Sequence, residues 1–156
     1  MEVFCGSARL TKALRARGLD AWGVDWKGGR LQPESPAILM LDLRIPGNIR
    51  RLERLLDHPN LVWVHFAPPC GTCSRARLIR PGPPQLRSEE FPEGLPYLAE
   101  RFPKEALKVK SANELYEAML TLITKCIAKR VRWTLENPFG IYALGNLIHQ
   151  GLARLV

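Results

Sequence analysis

The chain has 156 residues, 46% hydrophobic and 24% charged, which excludes a disordered tail, a fibrous repeat and a disulfide-framed miniprotein, and leaves room for one domain spanning residues 1 to 156. No apolar run approaches the roughly 20 residues that span a bilayer, and four cysteines without a regular framework suit a reducing compartment, so a soluble intracellular protein of cytoplasm or nucleus is expected. A formal charge of +8 points to an anionic partner.

Glu2 to Cys5 reads as a brief strand and Arg9 to Arg17 as a helix, with Leu10, Ala13 and Leu14 at helical spacing, Ser7 as N-cap and Gly18 as terminator. Ala21 to Val24 is a second strand, ending at Asp25-Trp26. Phe4-Cys5-Gly6-Ser7-Ala8 thus opens a strand-turn-helix-strand unit with a carboxylate about 20 residues on. In that layout glycine lets a nucleotide-type ligand approach the backbone, and the acid takes ribose hydroxyls. Ala8 stands where a second glycine is usual. A loop from Lys27 to Ser35 leads to a third strand, Ile38 to Leu41, ending at Asp42. A helix from Pro46 to Leu56 follows, with Ile49, Leu52, Leu55 and Leu56 inward and Arg50, Arg51, Glu53 and Arg54 as a solvated face.

Leu61 to Ala67 is short and almost continuously apolar, which predicts a central strand buried on both faces. Pro68 and Pro69 end it, since neither can donate to a ladder. Cys70 is thereby presented at the carboxyl edge of a parallel sheet, where open α/β sheets bind ligands. Arg75, Arg77 and Arg80 lie close behind it, and positive charge favours a thiolate. The setting is that of a nucleophile, but two blander readings stand beside it: an inert buried thiol, and the C-x-x-C of Cys70 and Cys73 as a redox dithiol. No second paired motif completes a zinc site, so no metal is expected.

Residues 75 to 104 form a basic, proline-rich loop whose Arg75, Arg77, Arg80 and Arg87 are placed to contact phosphates. A long amphipathic helix near Lys104 to Lys129 follows, with Ala112, Leu115, Tyr116, Met119, Ile123, Cys126 and Ile127 on its core face. Val131 to Leu135 is a fifth strand, ending at Glu136-Asn137-Pro138, and Ile141 to Val156 supplies one more short helix. Strands alternating mostly with helices imply an α/β fold with a doubly wound, mostly parallel sheet. Its strand ends carry Gly6, Asp25, Asp42, Cys70 and Glu136.

In their order along the first 138 residues or so, these motifs resemble the DNA (cytosine-5) methyltransferases. Phe4-Cys5-Gly6-Ser7-Ala8 is similar to that family's Phe-x-Gly-x-Gly cofactor turn. Pro69-Cys70-Gly71-Thr72-Cys73-Ser74-Arg75-Ala76 is similar to its Pro-Cys-Gln-x-Phe-Ser-x-Ala catalytic loop, and Glu136-Asn137-Pro138 to its Glu-Asn-Val. The resemblance implies a class I S-adenosylmethionine-dependent methyltransferase fold of Rossmann-like type, incomplete at the C-terminus. It implies transfer of a methyl group to C5 of a cytosine flipped out of double-stranded DNA, through a covalent Cys70 adduct. Phe4, Cys5, Gly6, Ser7, Asp25, Trp26, Asp42, Leu43 and Pro69 would hold the cofactor. Glu136 would act at cytosine N3, Asn137 would position the Pro-Cys loop, and Ser74, Arg75, Arg77 and Arg80 would contact DNA.

Gly71 replaces the family's glutamine and Cys73 its phenylalanine, and nothing after Glu136 matches its Gln-x-Arg-x-Arg motif or target-recognition region. The chain is read as a fragment, a degenerate copy, or a minimal form whose missing region a partner chain supplies. Two alternatives stay open: a catalytically inactive nucleic-acid-binding remnant, and a thioredoxin-like oxidoreductase using Cys70 and Cys73. The second leaves Gly6, Asp25 and Glu136 without a role. An amino-methyltransferase is disfavoured, because Ala67 stands where its acceptor acid belongs and Cys70 where its stacking aromatic belongs.

Overall fold

The computed structural model describes residues 1–26, 37–79 and 81–136, apart from the side chain of Arg75. The roles expected of the Arg75 side chain, Arg80, Asn137 and the last segment lie outside the described residues. Strands β1 (Glu2–Val3), β2 (Gly23–Asp25), β3 (Ile38–Met40), β4 (Trp63–Phe66) and β5 (Arg132–Leu135) form one sheet in the order β3-β2-β1-β4-β5. Every pairing is parallel, so all five strands point their carboxyl ends at one edge. The helices are α1 (Arg9–Arg15), α2 (Pro46–Leu55), α3 (Leu98–Arg101) and α4 (Pro103–Ala128). This α/β sheet is doubly wound: from β1 the chain moves outward to β2 and β3, then returns to the other side of β1 for β4 and β5.

The described chain divides into two compact units, Met1–Pro68 with Thr121–Glu136, and Pro69–Leu120. The first holds the sheet. Right-handed crossovers put α1 on one face and α2 on the other. Asp57, just past α2, takes Lys125 at 2.9 Å and Lys129 at 2.8 Å, which sets the end of α4 beside α2. On that face Val3, Val64 and Phe66 are buried and pack under the helices.

The opposite face is covered less completely. There Glu2 lies level with Gly23 on one side and His65 on the other. α1 covers Glu2, but Trp63 and His65 are half-buried, so β4 is not enclosed on both faces as its apolar run predicts. The run is explained instead by Val64 and Phe66 alternating with residues that a seven-residue helix cannot reach. His65 there shares a 2.9 Å contact with the Thr134 hydroxyl of β5.

The start of α1 departs from expectation as well. Ser7 is not its N-cap; Ala8 is, and Ala8 has no side-chain oxygen to cap with. The amide of Ala8 is already committed to the Cys5 carbonyl at 2.6 Å, which closes a turn and delays the helix by one residue. The cap comes from the neighbouring strand. One carboxylate oxygen of buried Glu2 accepts the Thr11 backbone N–H at 2.7 Å and the Thr11 hydroxyl at 2.5 Å. An anion at the first turn also suits the helix dipole.

The second unit is not the bare loop expected over residues 75 to 104. A 3-10 turn at Arg75–Leu78 and α3 lie within it, and Leu86, Leu98 and Val109 form a small core backed by Leu95 and Ala106. α4 begins at Pro103, and its core face is as read except at Ile127, which is 49% exposed. Among the described residues no helix is long and apolar enough to cross a membrane.

Glu2→Ala should cost about 2 kcal/mol in urea unfolding, because it strands a buried amide and hydroxyl of Thr11 without an acceptor. A loss below about half a kcal/mol would show that water replaces the carboxylate.

Candidate functional site

In the first unit the carboxyl ends of the strands gather four of the expected residues: Gly6 after β1, Asp25 at the end of β2, Asp42 after β3 and Glu136 after β5. The turn after β1 is the most distorted backbone described. Phe4, Gly6 and Ala8 all have positive φ, at 63°, 51° and 53°. For the two non-glycine residues this costs roughly 1–2 kcal/mol each. A glycine at position 8 would adopt this left-handed backbone without that cost. Asp25 holds the turn in place: one carboxylate oxygen accepts the Gly6 N–H at 2.5 Å and the other the Trp26 N–H at 2.8 Å. Charge-assisted bonds of this kind contribute about 1.5–3 kcal/mol, enough to offset one strained residue.

Beneath the turn Cys5 is buried against Gly23, where a Cβ would lie 2.9 Å from the Cys5 sulfur. Burial and the nearby carboxylates of Asp25 and Glu2 push its thiol up to about 12, so it is neutral and packs as a small apolar group. Ser7 is half-buried. Leu43, expected among the cofactor-binding residues, is 3% exposed and packs in the core.

At the ends of β2 and β3 an unexpected residue enters. Arg44 stacks its guanidinium 4.9 Å from the centre of the Trp26 ring and forms a bidentate pair with Asp42, at 2.9 and 2.6 Å. Hydrogen bonds from Arg44 hold the Asp42 carboxyl below the usual carboxylate range. Trp26 remains 44% exposed, an aromatic platform at the sheet edge beside a carboxylate already engaged. Glu136 is exposed, with its amide tied to the Phe66 carbonyl at 2.8 Å.

The second unit carries Pro69 and Cys70. Ala67, Pro68 and Pro69 separate Cys70 from the last residue of β4. The turn is gripped from within. The Tyr116 hydroxyl of α4 donates to the Pro69 carbonyl at 2.7 Å, and Cys73 Sγ lies 3.2 Å from that hydroxyl and 3.5 Å from the Cys70 carbonyl. Burial, and then Cys73, push the Tyr116 phenol well above the usual tyrosine range. Arg87, 4% exposed, donates to the Thr72 hydroxyl at 3.2 and 3.0 Å, to the Pro92 carbonyl at 2.6 Å and to Asn113 at 2.7 Å, with its guanidinium 5.6 Å from the Tyr116 ring.

These contacts reassign several residues. Arg87 is a buried strut, not a phosphate contact. Arg77, expected to reach DNA, donates to the Gly71 carbonyl at 2.6 Å and the Pro84 carbonyl at 3.0 Å and pairs with Glu105 at 3.2 Å. Ser74 caps the 3-10 turn, its hydroxyl accepting from Ala76 at 3.2 Å. Cys73 is buried and turned toward Tyr116, which withdraws it from the exchange chemistry a dithiol needs. Cys70 itself is half-buried, beside exposed Gly71 and Pro69. From the sequence Tyr116 reads only as core and Arg87 as a phosphate contact, and Thr72 and Arg44 are given no role of their own. Only Tyr116 left a signal, because a tyrosine on a buried helix face needs a partner for its hydroxyl.

Among the described residues no group of three or more His, Cys, Asp or Glu is arranged to hold a metal ion. Comparison with protein-family models, with curated proteins and with solved structures returned no match for the chain.

Ala8→Gly should stabilise the protein by about 1 kcal/mol in urea unfolding, since glycine relieves the left-handed strain. No gain would mean the methyl's packing outweighs its strain. A disulfide reagent at neutral pH should titrate one of the four thiols quickly in the folded chain, and Cys70→Ser should remove that phase. Cys5, Cys73 and Cys126 should react only on unfolding; a second fast thiol would contradict their burial.

Proposed function

We propose that this chain is an S-adenosylmethionine-dependent methyltransferase of the Rossmann-like class that methylates C5 of cytosine in DNA, with Cys70 as nucleophile. The observation that carries the reading is the charge at the turn after β1. Turns of this layout ordinarily offer free amides and a helix N-terminus to a pyrophosphate. Here Asp25 takes the Gly6 amide and Glu2 takes the Thr11 amide, so the turn is anionic and disfavours phosphate. A ligand with hydroxyls and positive charge suits it, and S-adenosylmethionine carries two ribose hydroxyls, an ammonium and a sulfonium. The doubly wound strand order supports the same edge as the ligand side.

The residues present fit that group in part. The left-handed backbone at Gly6 allows close approach, Asp25 retains lone pairs for ribose hydroxyls, and Trp26 offers a face for a purine. Asp42 can meet a ring amine only where Arg44 leaves a lone pair free. S-adenosylmethionine would supply an electrophilic methyl group on a positive sulfur. Cytosine C5 is too weak a nucleophile to take it unaided. The Cys70 thiolate adds to C6, forming a C–S bond and moving the ring's π electrons toward C5. Glu136, in its protonated form, would donate a hydrogen bond at N3 and stabilise the charge that develops there. C5 would take the methyl carbon as the methyl–sulfur bond breaks with its electrons returning to sulfur, leaving S-adenosylhomocysteine; the C5 proton would then pass to water as the C–S bond to Cys70 breaks and the thiolate is regained. The Tyr116 hydroxyl supports this step by holding the Pro69 carbonyl, in the peptide bond just before Cys70, and Arg87 by holding the Thr72 side chain two residues after it.

A second reading, a silent nucleic-acid-binding relative of such enzymes, draws support from Arg44. Its guanidinium stacks on Trp26 and pairs with Asp42, two of the groups expected to hold the cofactor.

Calorimetric titration with S-adenosylhomocysteine tests the first reading, with Asp25→Ala alongside. Binding should be measurable in the native chain and weakened by a few kcal/mol at most in the variant. Equal affinity in both removes the cofactor site. Cys70→Ser should abolish methyl transfer to cytosine-containing DNA while leaving cofactor affinity nearly intact; transfer at the native rate overturns the nucleophile.

A further inference from the structure

Away from the strand ends, the helical face of the first unit holds an open groove of about 550 Å³ lined by Gly47, Arg50, Glu53, Arg54, Asp57 and Lys125. Apart from Gly47 every residue lining it is charged, which suits a polar or charged ligand. Arg50, Glu53, Arg54 and Asp57 fall at helical spacing on one side of α2 and its extension, and Lys125 faces them from α4. The carboxylates and the cations are not matched one to one. Asp57 is taken by both Lys125 and Lys129, which hold its carboxyl below the usual range. Arg50 and Arg54 make no ion pair or side-chain hydrogen bond among the described residues, and Glu53, between them, pairs with neither. Two like charges four residues apart on a helix destabilise it by about 0.2–0.5 kcal/mol. A merely solvated face would gain by pairing them.

We propose that this groove is a sequence-independent binding site for the phosphate backbone of nucleic acid, separate from the strand-end site and not dependent on methyl transfer. A guanidinium presents a planar fork of donors that matches phosphate oxygens, and Arg50 and Arg54 repeat that fork after about 6 Å of helix rise. The groove is open, so an extended backbone can lie along it. The chain's net charge of +8 adds long-range attraction for such a polyanion.

Fluorescence anisotropy of a short labelled DNA duplex of mixed sequence, read at several salt concentrations, tests the site on the full chain. Every phosphate that is no longer neutralised should reduce the slope of log affinity against log salt by about 0.9, so Arg50→Gln/Arg54→Gln should reduce it by about 2. Lys12→Gln/Arg17→Gln removes the same charge from exposed positions of α1 and its end, and should change the slope by less than half as much. Equal slopes for both double variants would overturn the site in favour of net charge alone. Tighter binding of poly-glutamate than of the duplex would overturn the choice of partner. Both double variants should retain the native chain's response to S-adenosylhomocysteine, so failure of the groove and failure of the cofactor site read out separately.

Discussion

Two carboxylates on neighbouring strands govern the turn from which the rest of the sheet is hung. Glu2 caps α1 from below and Asp25 takes the Gly6 amide from the side. Between them they stabilise a backbone that enters the left-handed region at Phe4, Gly6 and Ala8, two of which have a Cβ to accommodate. A hydroxyl cap would have satisfied the helix at less desolvation cost. The consequence of using carboxylates is electrostatic: the carboxyl edge of β1 and β2 carries negative charge, and two backbone amides there are already taken by carboxylate oxygens.

The loop bearing Cys70 is held by a different device of the same kind, buried polar groups engaged by partners from elsewhere in the unit. Tyr116 reaches Pro69, and Arg87 reaches Thr72, Pro92 and Asn113. Pro68 and Pro69 restrict the approach to Cys70, because each fixes its own φ and restricts the residue before it. The cysteine side chain itself stays half-buried at the rim of this frame. A nucleophile benefits from that division, since a rigid backbone places the sulfur while partial exposure lets a substrate reach it.

The basic composition invites the idea that every arginine near the candidate nucleophile awaits a phosphate. The structure divides them by role. Arg44, Arg77 and Arg87 are committed to Asp42, to Gly71 with Glu105, and to Thr72 with Asn113. They tie loop backbone and side chains together from within. Arg50 and Arg54, which by pattern look like an ordinary solvated helix face, line a groove without an ion-pair partner among the described residues. Charge in a sequence therefore predicts an anionic partner better than it predicts where that partner sits.

Periodicity and turn chemistry in the chain determine the five strands, the principal helices and the gathering of Gly6, Asp25, Asp42 and Glu136 at one edge, because side-chain alternation, proline and glycine act over a few residues. They could not determine that Ser7 would cede the cap to Glu2, or that β4 would be half-covered on one face. Nor could they show that Leu43 would enter the core and Arg87 be buried. Each of those outcomes is a choice among partners distant in sequence, made by whichever acceptor or apolar surface the folded chain brings within reach. A guanidinium or a hydroxyl has no preferred address in the sequence, and only tertiary structure shows which one Arg44, Arg77, Arg87 and Tyr116 find.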